Sequence, residues 1–173
     1  MFKKLIASLL LIPFLSGCII ITDQHRGAAS SDARQKSGHP EAKPFDETRN
    51  AKADVEAALA RATTRDTKVL LVMGANWCHD SRALAGWFEQ PRFVALIDAH
   101  YELVFVDVGQ KDRNIDIAQR FGLEDIVGTP TVLILSADGE PLNLETAPSW
   151  RNAASRSEDE IFDYFQGFAL NRP

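Results

Sequence analysis

Two cysteines are all that the 173-residue chain holds, and they stand at positions 18 and 78 with no C-x-x-C pair between them. The position three after Cys78 is Ser81, so the internal dithiol of such a pair cannot form. Long apolar runs are missing as well. The longest stretch near the N-terminus covers residues 5–15, well short of the roughly 20 residues that a membrane-crossing helix needs. Basic residues are in deficit, 19 Lys and Arg against 24 Asp and Glu, for a formal net charge of −5. Without a clustered basic face to meet phosphates, nucleic acid is not an expected partner, and neither is an anionic lipid surface. No phosphate-cradling glycine loop occurs, and there are no internal repeats. No cofactor and no metal are expected.

What the N-terminus does contain is an export pattern. Lys3 and Lys4 precede the apolar stretch, and Leu15-Ser16-Gly17-Cys18 follows at once, which is how an exported precursor begins. The small residues before Cys18 resemble a bacterial lipobox. That resemblance implies a lipoprotein signal peptide over 1–17, cut before Cys18, whose sulfur then carries diacylglycerol and whose new amino group is acylated. Each buried acyl methylene contributes about 0.8 kcal/mol, so more than one chain anchors stably. Loss of Lys3 and Lys4 with the leader takes the net charge from −5 to −7. By the same resemblance, Ile19 in place of aspartate after the lipidated cysteine favours the outer membrane over the inner.

Residues 18–44 read as the lipidated cysteine and a flexible linker, because few large apolar side chains follow Ile21 and such a stretch cannot offset its ordering entropy. His25 and His39 fall within it and read as solvated side chains without a metal role. The folded domain is expected over 45–173, long enough for one core.

Within that domain, Ala51, Val55, Ala58, Leu59 and Ala62 recur at helical spacing and predict a helix over 47–63. Residues 68–75 form a near-continuous apolar run, the mark of a strand covered on both faces. A helix begins at the Cys78 turn and is interrupted at Pro91, beyond which the helical pattern resumes through Ile97. Residues 101–108 predict a second strand, and Ile115, Ala118 and Phe121 a short helix ended by Gly122. Residues 131–135 predict a third strand, Asp138-Gly139 a hairpin turn, and 141–144 a short edge strand. Ser157 to Glu160 spell a capping box opening a last helix that buries Ile161, Tyr164, Phe165 and Phe168. Trp150 either caps the core or overhangs the site.

The order of these elements, with Trp77-Cys78-His79-Asp80-Ser81 after the first strand and Thr129-Pro130-Thr131 before the hairpin, resembles the thioredoxin superfamily. The closest likeness is to periplasmic thioredoxin-like domains, since Gln90-Pro91-Arg92-Phe93-Val94 follows the active-site helix. The resemblance implies an α/β fold with a central mixed sheet of about four strands and helices on both faces. It makes Cys78 the nucleophile, Trp77 the aromatic before it, Pro130 the cis-proline beside the sulfur, and Thr129 the residue whose backbone pairs with an extended substrate. Ser81 stands where dithiol members have the resolving cysteine. Val72 stands where many of them bury a carboxylate.

The residues make their own case for Cys78. A sulfur at a helix N-terminus faces free backbone N–H groups and the positive end of the macrodipole, which favour thiolate. Ser81 is placed to donate to that sulfur, and protonated His79 would add to the effect while Asp80 would oppose it. Polar neighbours and Trp77 argue against full burial. Cys78, His79 and Asp80 are consecutive, about 100° apart around a helix, and cannot converge on one metal. Together with the roles that the resemblance implies for Pro130 and Thr129, the expected catalytic residues are Cys78, Ser81 and Pro130, with Trp77, His79 and Thr129 at the substrate.

Two functions fit. The first is a lipid-anchored monothiol thiol-disulfide oxidoreductase of the cell envelope, facing the periplasm, which reduces or isomerises mixed disulfides and is resolved by an external thiol or reductase. Its partners are a protein or small-molecule disulfide, that reductant, and the membrane through Cys18. The second is a non-catalytic binder of extended peptide or a protein partner on the same fold.

Overall fold

The computed structural model describes residues 38–171. The signal peptide, Cys18 and His25 lie outside them. Helix α1, Ala51–Arg65, starts four residues later than its apolar periodicity predicts, because the Asn50 side chain accepts from the Ala53 N–H at 3.2 Å and caps it. Residues 46–48 are occupied by a turn in which Asp46 accepts from the Thr48 N–H and hydroxyl. The chain then enters β1, Lys68–Gly74.

Strand β1 is the middle of a three-stranded sheet, parallel to β2 (Tyr101–Asp107) and antiparallel to β3 (Thr131–Leu135). Side chains alternate across it. Leu70 and Val72 face a core with α2 (His79–Phe88), α3 (Pro91–His100) and α5 (Glu158–Leu170). Val69, Leu71 and Met73 face a second core with α1 and α4 (Ile115–Arg120). A central strand buried on both faces explains its unbroken apolar run. Pro91 lies in the first turn of α3, where a missing N–H costs nothing, so the interruption after α2 is a new helix start.

The expected fourth strand over 141–144 is reduced to a single bridge between Leu135 and Pro141. Pro141 has no N–H to give, the Leu142 N–H donates to the Ile134 carbonyl at 2.8 Å, and the Asn143 side chain adds to the pairing. Its Oδ1 accepts from the Ile134 N–H at 2.8 Å and its Nδ2 donates to the Val132 carbonyl at 2.9 Å. The Asp138-Gly139 turn forms as expected, with Gly139 at φ +86°, a backbone region open to glycine.

Trp150 sits in a kinked 3₁₀ segment, Ala147–Ser155, and is fully buried, stacked 4.8 Å from the Phe165 ring. It caps the core rather than overhanging the site. The capping box is complete: Ser157 Oγ accepts from the Glu160 N–H and Glu160 Oε2 accepts from the Ser157 N–H.

Residues 40–44, assigned above to the linker, run along α2. The Ala42 N–H donates to the Arg82 carbonyl at 3.0 Å. At Gly86 a Cβ would fall 2.4 Å from the Pro40 carbonyl carbon. Sparse apolar content concealed this arm because its attachment uses backbone hydrogen bonds and a glycine-sized gap. No helix among the described residues is long and apolar enough to cross a membrane.

Candidate active site

Cys78 is the N-cap of α2, held by its N–H to the Ala75 carbonyl and by its own carbonyl to the Arg82 N–H, both at 3.1 Å. Its sulfur donates to the Thr129 carbonyl at 3.2 Å, a bond only the thiol can make. The Thr129–Pro130 peptide is cis, and both residues are buried against this turn. Two segments 51 residues apart thus meet at one sulfur. The family resemblance implies that Cys78, Thr129 and Pro130 lie together, and the structure brings them together.

Burial is tighter than the polar neighbours of Cys78 suggest, for the residue is only 8% exposed. The Thr129 carbonyl covers the sulfur, and the neighbouring side chains turn elsewhere. Trp77 lies 51% exposed and donates its Nε1–H to the Gly109 carbonyl at 2.8 Å. It forms one wall of an open cleft of about 690 Å³ with Lys43, Asp107 and Arg113. Asp80 accepts from the Ala154 N–H at 2.9 Å and ties α2 to the 3₁₀ segment. His79 points to the arm. Cys78, His79 and Asp80 leave the helix start in three directions, as their angular spacing requires.

Ser81 departs from its expected part. Its hydroxyl is buried and has no hydrogen-bond partner among the described residues, the sulfur included. The side chain lies against the end of β1, where a Cβ on Gly74 would come 2.7 Å from both Ser81 Oγ and the Phe45 ring. Ser81 therefore fills the space behind the cysteine and leaves the sulfur to Thr129.

Arg82, Glu41, Asn76 and His39 are the residues that sequence reasoning missed. Arg82 donates to the Asn76 and Trp77 carbonyls at 3.2 and 3.0 Å, bracing the turn that carries Cys78, and its Nε reaches Glu41 at 3.1 Å. The Arg82 guanidinium holds the Glu41 carboxyl below its usual range, helped by His79 and His39. Asn76 clasps Phe45 in both directions, accepting from its N–H at 3.2 Å and donating to its carbonyl at 2.7 Å. His39, read above as a solvated linker residue, brings its Nε2 to 2.9 Å from His79 Nε2. His79 Nε2 also lies 3.4 Å from Glu41 Oε1. Only the position of Asn76, two before the cysteine, offered a sequence signal, since the arm contacts span about 40 residues.

The thioredoxin-like family model matches residues 50–137, a span that holds both the helix-capping cysteine and the cis-proline. The chain belongs to the thioredoxin-like family. Among solved structures, this thioredoxin-like chain is similar to a disulphide isomerase from Xylella fastidiosa Temecula1, with 36% identity over 73% of this chain and 97% of that one, at a TM-score of 0.68. It is more distantly similar to the reduced DsbD C-terminal domain of Neisseria meningitidis, with 22% identity over 67% of this chain and 95% of that one, at a TM-score of 0.47. No curated protein sequence matches it. The fold is that of thioredoxin-like disulfide oxidoreductases, with three strands in the sheet among the described residues.

Proposed function

We propose that this chain is a lipid-anchored thiol-disulfide oxidoreductase of the cell envelope, acting through Cys78 alone. The observation that carries the reading is the placement of Cys78 Sγ at the start of α2 and against Thr129, with Ser81 one turn on where a second thiol would resolve the adduct. The 36% identity to the Xylella disulphide isomerase supports the same reaction class. Anchoring through Cys18, and the preference for the outer membrane, rest on the export pattern of the N-terminus.

The chemistry is a series of thiol-disulfide exchanges. The Cys78 thiolate attacks one sulfur of a substrate disulfide, so that a bond to Sγ forms as the substrate S–S bond breaks and the other sulfur departs as thiolate. An external thiol then attacks the substrate-derived or the Cys78 sulfur of the mixed disulfide, restoring one thiolate as the new S–S bond forms. When that thiol belongs to a separate reductant, it attacks the Cys78 sulfur and expels the substrate's remaining sulfur as thiolate, and a second reductant thiol then frees the Cys78 thiolate as the reductant leaves as a disulfide. When it comes from the substrate itself, disulfides are shuffled without net redox change. For attack to begin, the sulfur gives up its bond to the Thr129 carbonyl, and the same carbonyl is then available to an extended substrate strand. Trp77 and His79 flank the approach.

The test is capture. Protein with Cys78 intact is isolated from oxidised envelope extract without reductant and resolved on non-reducing gels. Disulfide-linked species that vanish with dithiothreitol and in Cys78→Ala are expected. Recovery of no thiol-linked partner, with all binding preserved in Cys78→Ala, refutes the enzyme.

That outcome would leave the second reading, a thioredoxin-like binding module, which the 8% exposure of Cys78 favours. Alkylation of Cys78 against pH separates the two. A binder labels slowly in the folded state at every pH, and an enzyme labels readily once its thiol ionises.

A further inference from the structure

His39, Glu41 and His79 place one ligand atom each within 4.8 Å of one another, and none of them has a part in the exchange chemistry of the sulfur itself. We propose that these three side chains form a binding site for a divalent transition-metal ion of the zinc class, which staples the N-terminal arm to the first turn of α2.

The spacing suits the ion. Ligands about 2.0–2.1 Å from a tetrahedral zinc lie roughly 3.3 Å from each other. His79 Nε2 and Glu41 Oε1 are 3.4 Å apart. The two imidazole Nε2 atoms, at 2.9 Å, need to open by about 0.4 Å to reach the same spacing. Two imidazoles and one carboxylate are a borderline donor set that suits zinc and its neighbours better than calcium or magnesium.

The surroundings prepare the ligands. His39 Nδ1 lies 3.2 Å from the Pro40 carbonyl, which can only accept, so this contact suits the neutral tautomer that donates from Nδ1 and offers Nε2 to an ion. This is the backing that metal-bound imidazoles generally have. Glu41 offers Oε1 to the cluster while Oε2 accepts from Arg82 at 3.1 Å, which fixes the carboxylate. Arg82 is in turn held by the Asn76 and Trp77 carbonyls. Its positive charge opposes the ion and places the expected affinity below that of a closed structural zinc site. His79 and Glu41 are exposed and His39 is half-buried, so an ion enters from solvent and keeps a position for water. Cys78 is outside the set, its sulfur turned to Thr129.

The full chain, purified in detergent and stripped with EDTA, is titrated with zinc chloride by calorimetry. One equivalent is expected to bind, and His39→Ala, His79→Ala and Glu41→Gln are each expected to weaken it at least about tenfold. Cys78→Ser and His100→Ala are expected to leave it unchanged. Exchange of the Ala42 amide, bonded to Arg82, is expected to slow with zinc in the unaltered chain and not in His39→Ala. Absence of saturable binding, equal affinity in His39→Ala, or binding lost in Cys78→Ser overturns the proposal. Disulfide capture by Cys78 is a separate measurement, so either idea can fail alone.

Discussion

Asn143 pairs with the backbone on either side of Leu133, accepting from the Ile134 N–H at 2.8 Å and donating to the Val132 carbonyl at 2.9 Å. One amide side chain thus extends the pairing at the β3 edge beyond the backbone bond from the Leu142 N–H to the Ile134 carbonyl. Its Nδ2 also meets the Tyr164 hydroxyl at 3.0 Å. Asn143→Ala leaves a buried N–H and a buried carbonyl without partners and is expected to destabilise the fold by about 2–4 kcal/mol. Urea unfolding measures it. A cost under about 0.5 kcal/mol would show that water replaces the amide at this edge.

Gly86 carries an unusual expectation. In an ordinary helix interior, Gly→Ala stabilises by about 1 kcal/mol. Here the new Cβ would lie 2.4–2.6 Å from backbone atoms of Pro40 and Glu41, so Gly86→Ala is expected to lift the arm from α2. Hydrogen exchange of the Ala42 amide should accelerate while that of β1 stays protected. Unchanged Ala42 exchange would place the arm's hold elsewhere.

Glu102 is buried on β2 and is gripped by Arg61 Nε at 2.6 Å and by Arg65. Glu102→Ala strands two guanidinium groups that are themselves about half exposed. The expected cost is therefore about 3 kcal/mol, the lower end for breaking a buried ion pair, and Arg61→Ala alone about 1 kcal/mol. Denaturation of both variants and of the double variant measures the coupling between Glu102 and Arg61, expected to be positive, and additive costs would show that the pair acts independently.

Glu41 predicts an acid limit for the arm. Arg82 lowers its folded-state pKa from the ordinary 4.5, so the charged form is bound more strongly in the folded state than in the unfolded one. Its contribution is complete above 4.5 and is lost as pH falls through the lowered value. The stability difference between the unaltered chain and Glu41→Gln should shrink as pH falls below about 4.5. A difference that grows over that acid range would reverse the assignment.

The fold was legible wherever a periodicity had one cause. The run from Val69 to Met73 is buried on both faces, and Pro91 and the Ser157 capping box mark helix starts with their own chemistry. The sulfur, Thr129 and Pro130 were legible through family likeness, since their contact spans 51 residues that no local pattern links. Other features were illegible for stated reasons. Asn143 performs strand pairing with a side chain, which alternation cannot reveal. Ser81 turns to Gly74 and Phe45 because the end of β1 leaves a glycine-sized space there. His39 and Glu41 sit in a polar stretch whose composition matches a free tether, and the backbone bond at Ala42, the Arg82 bridge and the contacts with His79 seat them on α2.

Met73 and Thr131 are cross-strand partners in β1 and β3. The cysteine turn begins just after one of them and the Thr129 carbonyl ends just before the other. Both jaws of the thiol site consequently ride on the same rung of the sheet, and bending or twisting of that sheet carries them along together. Any widening of the gap to admit a substrate falls to the short loop segments beyond the rung, so grip and release can be tuned there without disturbing the frame.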